Sequence, residues 1–534
     1  MSKCSQQSRV WVFAAVAVLV GAGVAGAGVA DFTWDAQAMP ETVGTPRDPG
    51  ERMAEMAALQ QALAAGQVAA GLQKAAEVRL TAVDRATIDD TSRVERKYLV
   101  GVAKEIGVTV DFRAARNAAK KPVALALGAA RGTGDGGFVW TAAVRSAGAT
   151  AMRLKLTGVD LPAGAELYAY NLAGHAFGPY TGRGPAGDGV LYTHTVFGEQ
   201  ILLQLRAAAG AGLPKLRVAE AGVMGARFVA PRYGPDGVFS ADDLDAIAKA
   251  SNLCSRNADC VINADCANTN SAVNGAKDAV ASILFPSGGS YYICTGGLIA
   301  DTVTTSTIPY FLTAHHCISS SGEAAGLETY FDYATTCSSP NCTQPYNNTG
   351  ETVGSTIKAT GSTGDYSLLQ LSSAPTTPDG VATYLGWNST AIANTAGVDL
   401  YRIHHPAGSP QAYSEHEVNT NKGTCRTLSR GTYIYSNDTL GAQEGGSSGS
   451  PVVNGSGQIV GQLYGACGTD VNNVCNSAAN STVDGAFAAY FSNVSSFLQG
   501  GGGGSCSASG SSCTSNSQCC SGNCKGKPGA KTCK

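Results

Sequence analysis

The sequence predicts a mostly β protein of several domains, and three observations support this. From Phe138 onward, short runs that alternate apolar and polar residues are separated by Gly, Pro and Asp turns, as in antiparallel sheets. The 534 residues exceed the size of one compact domain. Sixteen of the 17 cysteines lie from Cys254 onward, so the blocks before and after that residue are stabilised differently.

Composition excludes one class of partner. Charged residues make up only 14% of the chain, and the formal net charge is -3. Proteins that bind nucleic acids normally carry clustered Lys and Arg, so no nucleic-acid partner is expected. Hydrophobic residues make up 44%, which is enough for the chain to form packed cores.

The first 30 residues have the pattern of a secretory signal peptide. Lys3 and Arg9 precede an apolar run over residues 10–20, and small residues offer cleavage sites after Ala27 or Ala30. The alternative is an uncleaved membrane anchor, because about 20 apolar and small residues can span a bilayer. The small residues before position 31 favour cleavage. We therefore expect residues 1–30 to be removed and the protein to be secreted, extracellular and free of the membrane.

The cysteine count supports export. Cys4 would leave with the signal peptide, and the sixteen that remain form an even set. Ten lie between Cys254 and Cys475, and six lie between Cys506 and Cys533. This density is typical of disulfides formed in an oxidising extracellular environment.

Residues 31–249 form a block without cysteines. Its first part, residues 31–137, is predicted to be helical because residues 51–78 are rich in Ala, Leu, Glu and Gln. Its second part, residues 138–249, contains five alternating runs at the spacing of a small β-sandwich. These runs are FVWTAAV, AMRLKLTGV, AELYAYNL, GVLYTHTVF and QILLQLRA.

Residues 250–498 contain many short β-like runs, and a helical pattern follows only at residues 484–498. Short strands with frequent turn signals indicate an all-β barrel or sandwich. Residues 499–505 are a glycine-rich linker. The linker separates this domain from the cysteine-rich end of the chain.

The end of the chain, residues 506–534, has almost no large apolar side chain, so disulfides must hold it together. Six cysteines allow fifteen pairings. Their order resembles the inhibitor cystine knot (knottin), which implies pairing of the first with the fourth, the second with the fifth and the third with the sixth. Two roles are open for this tail: a module that binds a surface or substrate, and a passive stabilising cap.

Three motifs carry candidate chemistry. FLTAHHC ends an apolar run at His316, STGDYSLLQL places Asp365 before an apolar run, and EGGSSGSPV sets Ser448 among glycines. Each alone also has an ordinary structural interpretation, as a packed histidine, a turn aspartate and a flexible linker. Together they supply the base, the orienting acid and the nucleophile of acyl transfer, in the order His, Asp, Ser. The α/β-hydrolase pattern is excluded, because its histidine comes last and its G-x-S-x-G motif fails at Ser450.

These motifs, with IHHP and GQLYG, resemble the chymotrypsin-like serine endopeptidases, specifically the bacterial lysyl endopeptidase group. The resemblance covers roughly residues 254–498. It implies a double β-barrel with the site in the cleft between two six-stranded barrels. The preceding block resembles the long pro-regions of such secreted precursors. No metal or cofactor is implied.

The resemblance assigns roles residue by residue. The base is His316, which directly precedes a cysteine, and Asp365 orients it. Ser448 is the nucleophile, and the backbone N–H groups of Gly446 and Ser448 form the oxyanion hole. The other assigned residues are the disulfide pair Cys294 and Cys317, the substrate-binding wall Leu463, Tyr464 and Gly465, and His315, His404 and His405 as packing or hydrogen-bonding residues.

The chain departs from the trypsin-like pattern beside the nucleophile. Ser447 stands where trypsin-like enzymes have the aspartate that binds the new N-terminus, and no IVGG-like terminus exists. Activation must therefore work differently. Removal of the pro-region, by cleavage after Lys249, is the expected route.

The specificity pocket also departs from the family. Thr482 occupies the place of the pocket aspartate in the lysine-specific enzymes, and Ala442 the corresponding trypsin position. Thr482 and Asp484 are nevertheless expected to bind substrate. A preference for a basic (Lys) P1 residue would then depend on Asp484, Asp470 or Glu444, because a buried carboxylate without a partner favours a cationic ligand.

The expected function is therefore a secreted serine endopeptidase that acts on proteins and peptides, with its pro-region as an intramolecular inhibitor or folding aid. One alternative is a catalytically inactive, protease-fold secreted protein that binds or adheres. Another is a precursor whose active product is the cysteine-rich tail as an inhibitor.

Overall fold

The computed structural model describes residues 36–90, 97–118, 121–228, 253–254, 256–267, 271–302, 307–338, 340, 342, 350–375, 377–425, 427–499, 512, 524–527 and 531–533. The signal peptide, the cleavage after Lys249 and most of the cysteine-rich tail lie outside these residues. Among the described helices, none is both long and apolar enough to cross a bilayer.

The helix predicted over residues 51–78 is interrupted. The helices of the first block are α1 (Pro49–Gly66), α2 (Ala69–Leu72), α3 (Ala82–Asp89) and α4 (Arg113–Arg116). The backbone turns extended at Gln67, and the N–H of Val68 donates to Thr141 Oγ1 at 2.9 Å. A Cβ on Gly71 would lie 2.0 Å from the Thr141 carbonyl oxygen. This close approach to the sheet decides where the helical segment breaks.

The first block also contains fourteen strands among its described residues. They are β1 (Gln37–Ala38), β2 (Glu41–Gly44), β3 (Ala76–Glu77), β4 (Tyr98–Asp111), β5 (Val123–Ala124), β6 (Ala129–Gly132), β7 (Phe138–Arg145), β8 (Ala151–Asp160), β9 (Ala165–Tyr170), β10 (Ala176–Tyr180), β11 (Leu191–Tyr192), β12 (Val196–Phe197), β13 (Gln200–Ala207) and β14 (Lys215–Met224).

These strands form the predicted sandwich. One sheet has the order β10-β9-β13-β7-β6-β5, and β8, β14 and β4 belong to the other. Side chains from both sheets, such as Leu203 and Leu154, share one apolar core. The fourth predicted run is split into β11 and β12, whereas β4 and β14 were not predicted. Gly, Lys and Glu residues interrupt the alternation of the latter two strands.

The second block begins with a β-barrel. Its first elements are β15 (Ile262–Asn263), α5 (Ser271–Asn274), β16 (Val280–Ser287), β17 (Ser290–Leu298), β18 (Tyr310–Ala314), α6 (Ser321–Ala325), β19 (Glu328–Phe331), β20 (Gly350–Val353), β21 (Ser355–Gly361) and β22 (Tyr366–Leu371). Pairing runs β20-β19-β16-β17-β18-β22-β21. Because only Gly354, at φ +87°, separates β20 from β21, the two act as one bent strand that closes the barrel.

The second barrel follows after β23 (Val381–Tyr384) and β24 (Gly386–Asn388). Its six strands are β25 (Asp399–His404), β26 (Ala412–Val418), β27 (Tyr433–Leu440), β28 (Pro451–Val453), β29 (Gln458–Gly468) and β30 (Asn480–Ala486). Pairing runs β25-β26-β27-β30-β29-β28 and returns to β25, so the barrel is closed. Helix α7 (Phe487–Leu498) follows. The predicted fold class, mostly β with a double β-barrel, is confirmed.

Disulfides tie the second block together. They join Cys254 to Cys342, Cys260 to Cys475, Cys266 to Cys337, Cys294 to Cys317 and Cys425 to Cys467. In the tail, β31 (Cys524–Lys525) pairs with β32 (Thr532–Cys533). Each pair of the predicted knottin pairing includes at least one cysteine outside the described residues.

The two blocks share a sheet and a buried ion pair. Strand β4 pairs with β17, so the sandwich sheet continues into the first barrel. At this junction Arg153 lies 3.5 Å from Glu328, and both side chains are fully buried. The N–H and hydroxyl of Thr195 also donate to Glu328, at 2.8 and 2.5 Å. Among the described residues, these groups of the first block are the ones that hold the carboxylate.

We expect Arg153→Ala to destabilise the uncleaved chain by about 3–5 kcal/mol, because it leaves Glu328 buried without its counter-ion. Urea unfolding measures this. The control is Arg217→Ala, since Arg217 pairs with Glu105 at 3.6 Å on the surface, and it should cost less than about 1 kcal/mol. Equal losses in the free energy of unfolding for the two variants would show that the buried ion pair contributes no more to stability than the exposed one.

Candidate active site

His316 and Asp365 meet where two neighbouring strands end. Ala314, the last residue of β18, pairs with Tyr366, the first residue of β22, so the adjacent residues come together. His316 donates to Asp365 from its backbone N–H to Oδ1 at 2.9 Å and from Nδ1 to Oδ2 at 2.7 Å. The carboxylate thus fixes both the backbone and the ring of the histidine.

Asp365 has an unusual backbone conformation at this position. Its φ is +53°, in the left-handed region that non-glycine residues rarely adopt. Gln462 Nε2 donates to the Asp365 carbonyl at 2.9 Å, and His315 N–H donates to it at 3.0 Å. The surrounding hydrogen bonds hold a conformation that is strained in isolation, as is common at functional sites.

The Ser448 loop is brought to the histidine through Thr295. The Thr295 N–H donates to the Ser448 carbonyl at 2.8 Å, and its hydroxyl donates to the Gly446 carbonyl at 2.8 Å. Thr295 follows Cys294, whose disulfide partner Cys317 follows His316. Thr295 is fully buried, and no sequence motif pointed to it.

The sulfur atoms of Cys294 and Cys317 and a ring nitrogen of His316 lie within 4.8 Å of one another. Three such residues can form a metal site when the cysteines are thiolates. Here the two sulfurs are bonded to each other. The disulfide therefore restrains the backbone next to His316.

Glycines give the Ser448 loop its shape. Gly449 has φ +81°, and a Cβ there would lie 2.2 Å from Thr313 Oγ1. Gly446 has φ +98°, and the preceding carbonyl, of Gly445, accepts from the Ala407 N–H at 2.7 Å. Because the C=O and N–H of one trans peptide point in opposite directions, this bond turns the Gly446 N–H away from Ala407.

Ser447 has a histidine as its partner. Its hydroxyl lies 2.8 Å from His404 Nδ1 and accepts from the Glu444 N–H at 3.3 Å. Burial lowers the pKa of His404 well below its usual value, with nearby Arg402 acting in the same direction. The neutral hydroxyl is thus matched by a neutral ring.

Glu444 is held by the start of the second block. Its carboxylate accepts from Asn257 Nδ2 at 2.7 Å and from the Ala258 N–H at 2.8 Å. Asn257 Nδ2 also donates to the Pro406 carbonyl at 3.1 Å. Burial raises the pKa of Glu444, and these hydrogen bonds and nearby Arg256 oppose that rise. Asn257 was not predicted from the sequence, where no motif marks it.

The predicted substrate wall lies beside this loop. The Leu463 N–H donates to the Ser450 carbonyl at 2.9 Å, and the Leu463 carbonyl accepts from the Gly449 N–H at 2.8 Å. The Tyr464 ring lies 6.0 Å from the His316 ring, edge to face. Gly465 follows in the same strand, β29. The structure therefore brings the wall, the loop and His316 together.

Asp484 forms an internal ion pair. Arg402 Nη2 donates to Asp484 Oδ1 at 2.5 Å, and both side chains are fully buried inside the second barrel. Arg402 Nη1 also donates to the Ser450 hydroxyl at 3.0 Å. The charge of Asp484 is neutralised within the protein, so the structure does not offer it to a cationic substrate.

Thr482 has a carboxylate beside it. Its hydroxyl lies 2.5 Å from Asp438 Oδ1 and 2.8 Å from Gln443 Oε1. Asp438 was not singled out from the sequence, because it lies far from 482 along the chain.

His315 and His405 make hydrogen bonds and a ring contact, as expected from the sequence. His315 Nδ1 lies 2.8 Å from Thr360 Oγ1. The His405 ring stacks on Tyr333 at 5.3 Å, and its Nδ1 lies 3.1 Å from the Ser409 carbonyl. Burial lowers the pKa of His405 to about 4, so this ring is neutral at physiological pH.

Comparison with solved structures gives low similarity. An HtrA-type protease AlgW variant with tripeptide aligns with TM-score 0.31 and 15% identity, over 43% of this chain and 63% of its own. The active form of the Rv3671c protease from M. tuberculosis aligns with TM-score 0.28 and 14% identity, over 42% of this chain and 83% of its own. These values are too low to support a statement about function.

Comparison of sequences gives a closer match. The family model "Lysyl endopeptidase, C-terminal domain" matches residues 254–482. A lysyl endopeptidase from Pseudomonas aeruginosa is 36% identical over 216 residues, which cover 39% of this chain and 45% of the relative. The chain thus spans about half the length of that relative. Residues 254–482 are similar to the lysyl endopeptidases, which confirms the resemblance to the chymotrypsin-like serine endopeptidases predicted from the sequence motifs.

Proposed function

We propose that this protein is a secreted serine endopeptidase that cleaves peptide bonds through an acyl-enzyme intermediate. The observation that carries the proposal is the double contact of Asp365 with His316, at 2.9 Å to the backbone and 2.7 Å to the ring. A carboxylate that fixes Nδ1 leaves Nε2 to act as a base. His316 Nε2 is buried and has no hydrogen-bond partner among the described residues.

In this mechanism Ser448 Oγ attacks the peptide carbonyl while His316 Nε2 takes its proton. The N–H groups of Gly446 and Ser448 stabilise the oxyanion of the tetrahedral intermediate. His316 then gives the proton to the leaving amine, and water repeats the steps on the acyl-enzyme. Asp365 keeps the ring oriented and stabilises its charged form. No metal or cofactor takes part.

The oxyanion loop is held in this mechanism without the usual buried aspartate. Glu444 is tied to Asn257 and Ala258, and the neighbouring Gly445 carbonyl to the Ala407 N–H. Residues 256–258 therefore act as positioning residues for the loop. Since they follow the proposed processing segment, cleavage near residue 249 would act close to the groups that shape the oxyanion hole.

The domain organisation is proposed as signal peptide 1–30, pro-region 31–137 and 138–249, protease domain 250–498, linker 499–505 and cystine-knot-like domain 506–534. In the structure the first block pairs with β17, β23 and β24 along strand edges. This favours a folding role for the pro-region. Either a surface-binding or a stabilising role remains open for the tail.

Proteins and peptides are the proposed substrates, with a preference for a basic (Lys) P1 residue that the similarity to a lysyl endopeptidase supports. The rival proposal of an inactive binding protein is disfavoured, because His316, Asp365 and Ser448 are all present and the first two are in hydrogen-bond contact.

Ser448→Ala should abolish covalent labelling by a fluorophosphonate probe, since only the activated nucleophile reacts. Mass spectrometry of the probe adduct measures this. Ser456→Ala, in an exposed turn, is the control and should label normally. Labelling that persists in Ser448→Ala but is lost on changing Ser447 or Ser450 would contradict the assignment.

Asn257→Ala should lower kcat by about 10- to 100-fold with little change in KM, because a misplaced oxyanion donor weakens transition-state binding. Peptide hydrolysis kinetics and the rate of fluorophosphonate labelling should fall together. Asn394→Ala, at an exposed turn, is the control. A raised KM with unchanged kcat would argue that Asn257 does not position the loop.

A further inference from the structure

The cluster around Thr482 contains a carboxylate that the sequence motifs do not identify. Asp438 lies on β27, two positions after Ser436, which pairs with Thr482 on β30. The Thr482 hydroxyl lies 2.5 Å from Asp438 Oδ1. Because Thr482 occupies the expected pocket position, this contact places a carboxylate directly behind the proposed P1 pocket.

The described partners of Asp438 include a buried histidine. His416 Nδ1 lies 2.8 Å from Asp438 Oδ1, and His416 is fully buried. His416 Nε2 lies 2.9 Å from the Ser414 hydroxyl and 3.2 Å from Gln443 Nε2. Among the described residues, no lysine or arginine forms an ion pair with Asp438.

The other candidate carboxylates are occupied by internal partners. Asp484 is paired with Arg402. Glu444 accepts from Asn257 and Ala258. Asp470 accepts from Asn476 Nδ2 at 2.9 Å. Asp438 is the one of these four carboxylates whose described hydrogen bonds reach Thr482, and its side chain is 13% exposed.

We propose that Asp438 is the specificity-determining residue of the proposed endopeptidase and selects a basic P1 side chain. The inference rests on the proposed function and deepens it. Both protein donors, Thr482 and His416, meet Oδ1, so Oδ2 is the oxygen left for substrate. A single oxygen suits the compact ammonium group of lysine better than guanidinium, which prefers two parallel bonds. The preferred P1 residue is therefore lysine over arginine.

The test compares kcat/KM for peptides that differ only at P1, with lysine, arginine or norleucine. The uncharged norleucine side chain resembles that of lysine in shape, so the ratio of lysine to norleucine measures the charge interaction. Asp438→Asn should lower this ratio at least about 30-fold, because it removes the partner of a desolvated cation. Asp470→Asn is the matched control and should change the ratio by no more than about twofold.

Fluorophosphonate labelling of each variant distinguishes failure of the specificity inference from failure of the proposed endopeptidase function. A wild-type enzyme that labels but cleaves after lysine and norleucine equally overturns the inference and leaves the endopeptidase proposal intact. The inference is likewise overturned if Asp438→Asn labels normally and its ratio of kcat/KM for lysine over norleucine is unchanged. A wild-type protein that neither labels nor cleaves after its pro-region has been removed refutes the proposed function, and the inference with it.

A measurement on the wild type covers the case in which Asp438→Asn does not fold. n-Butylammonium should inhibit hydrolysis competitively, because it places an ammonium group where the lysine side chain would end. n-Butanol, the uncharged control, should not inhibit at the same concentration. Equal inhibition by the two compounds, or none by n-butylammonium, overturns the proposal.

Discussion

The hydrogen bonds of Thr295 are the interaction on which the site depends. This buried residue of the first barrel donates its N–H to the Ser448 carbonyl and its hydroxyl to the Gly446 carbonyl, and its hydroxyl accepts from the His405 N–H. It thus holds the loop of the second barrel at two points. Its neighbour Cys294 reaches His316 through the disulfide to Cys317. One residue thereby sets the loop relative to the histidine, and a base must be placed to within about 1 Å to be effective.

The Ser448 loop is held by hydrogen bonds to neighbouring residues. Where trypsin-like enzymes have a buried aspartate, Ser447 pairs with a neutral His404. A carboxylate is still present nearby, but it is Glu444, and it is met by Asn257 and Ala258 instead of a new N-terminus. Hydrogen bonds to a carboxylate are strong, so these contacts hold Glu444 in place beside the loop. The loop then depends on the residues that begin the second block.

Two buried ion pairs among the described residues show how pairing bears on the roles of charged groups. Arg153 and Glu328 join the two blocks, and Arg402 and Asp484 lie inside the second barrel. A buried carboxylate with a cationic partner has little to offer a cationic ligand. Asp438 differs because its described partners are the Thr482 hydroxyl and the His416 ring, and no lysine or arginine among the described residues pairs with it. The presence or absence of a cationic partner thus separates the carboxylates with a structural role from the one that is proposed to select the substrate.

The mostly β fold and the candidate residues His316, Asp365 and Ser448 could be predicted from the sequence, because strand alternation and short motifs are local properties. Strands β7 and β13 were predicted closely, but β4 was not, because its Gly, Lys and Glu residues interrupt the alternation. The tertiary contacts were needed to identify the carboxylate beside Thr482 and the groups that hold the Ser448 loop. Asp438 and Thr482 are 44 residues apart, and Thr295 is more than 150 residues from the loop it positions. Such contacts depend on strand register across the barrels, which no local pattern encodes.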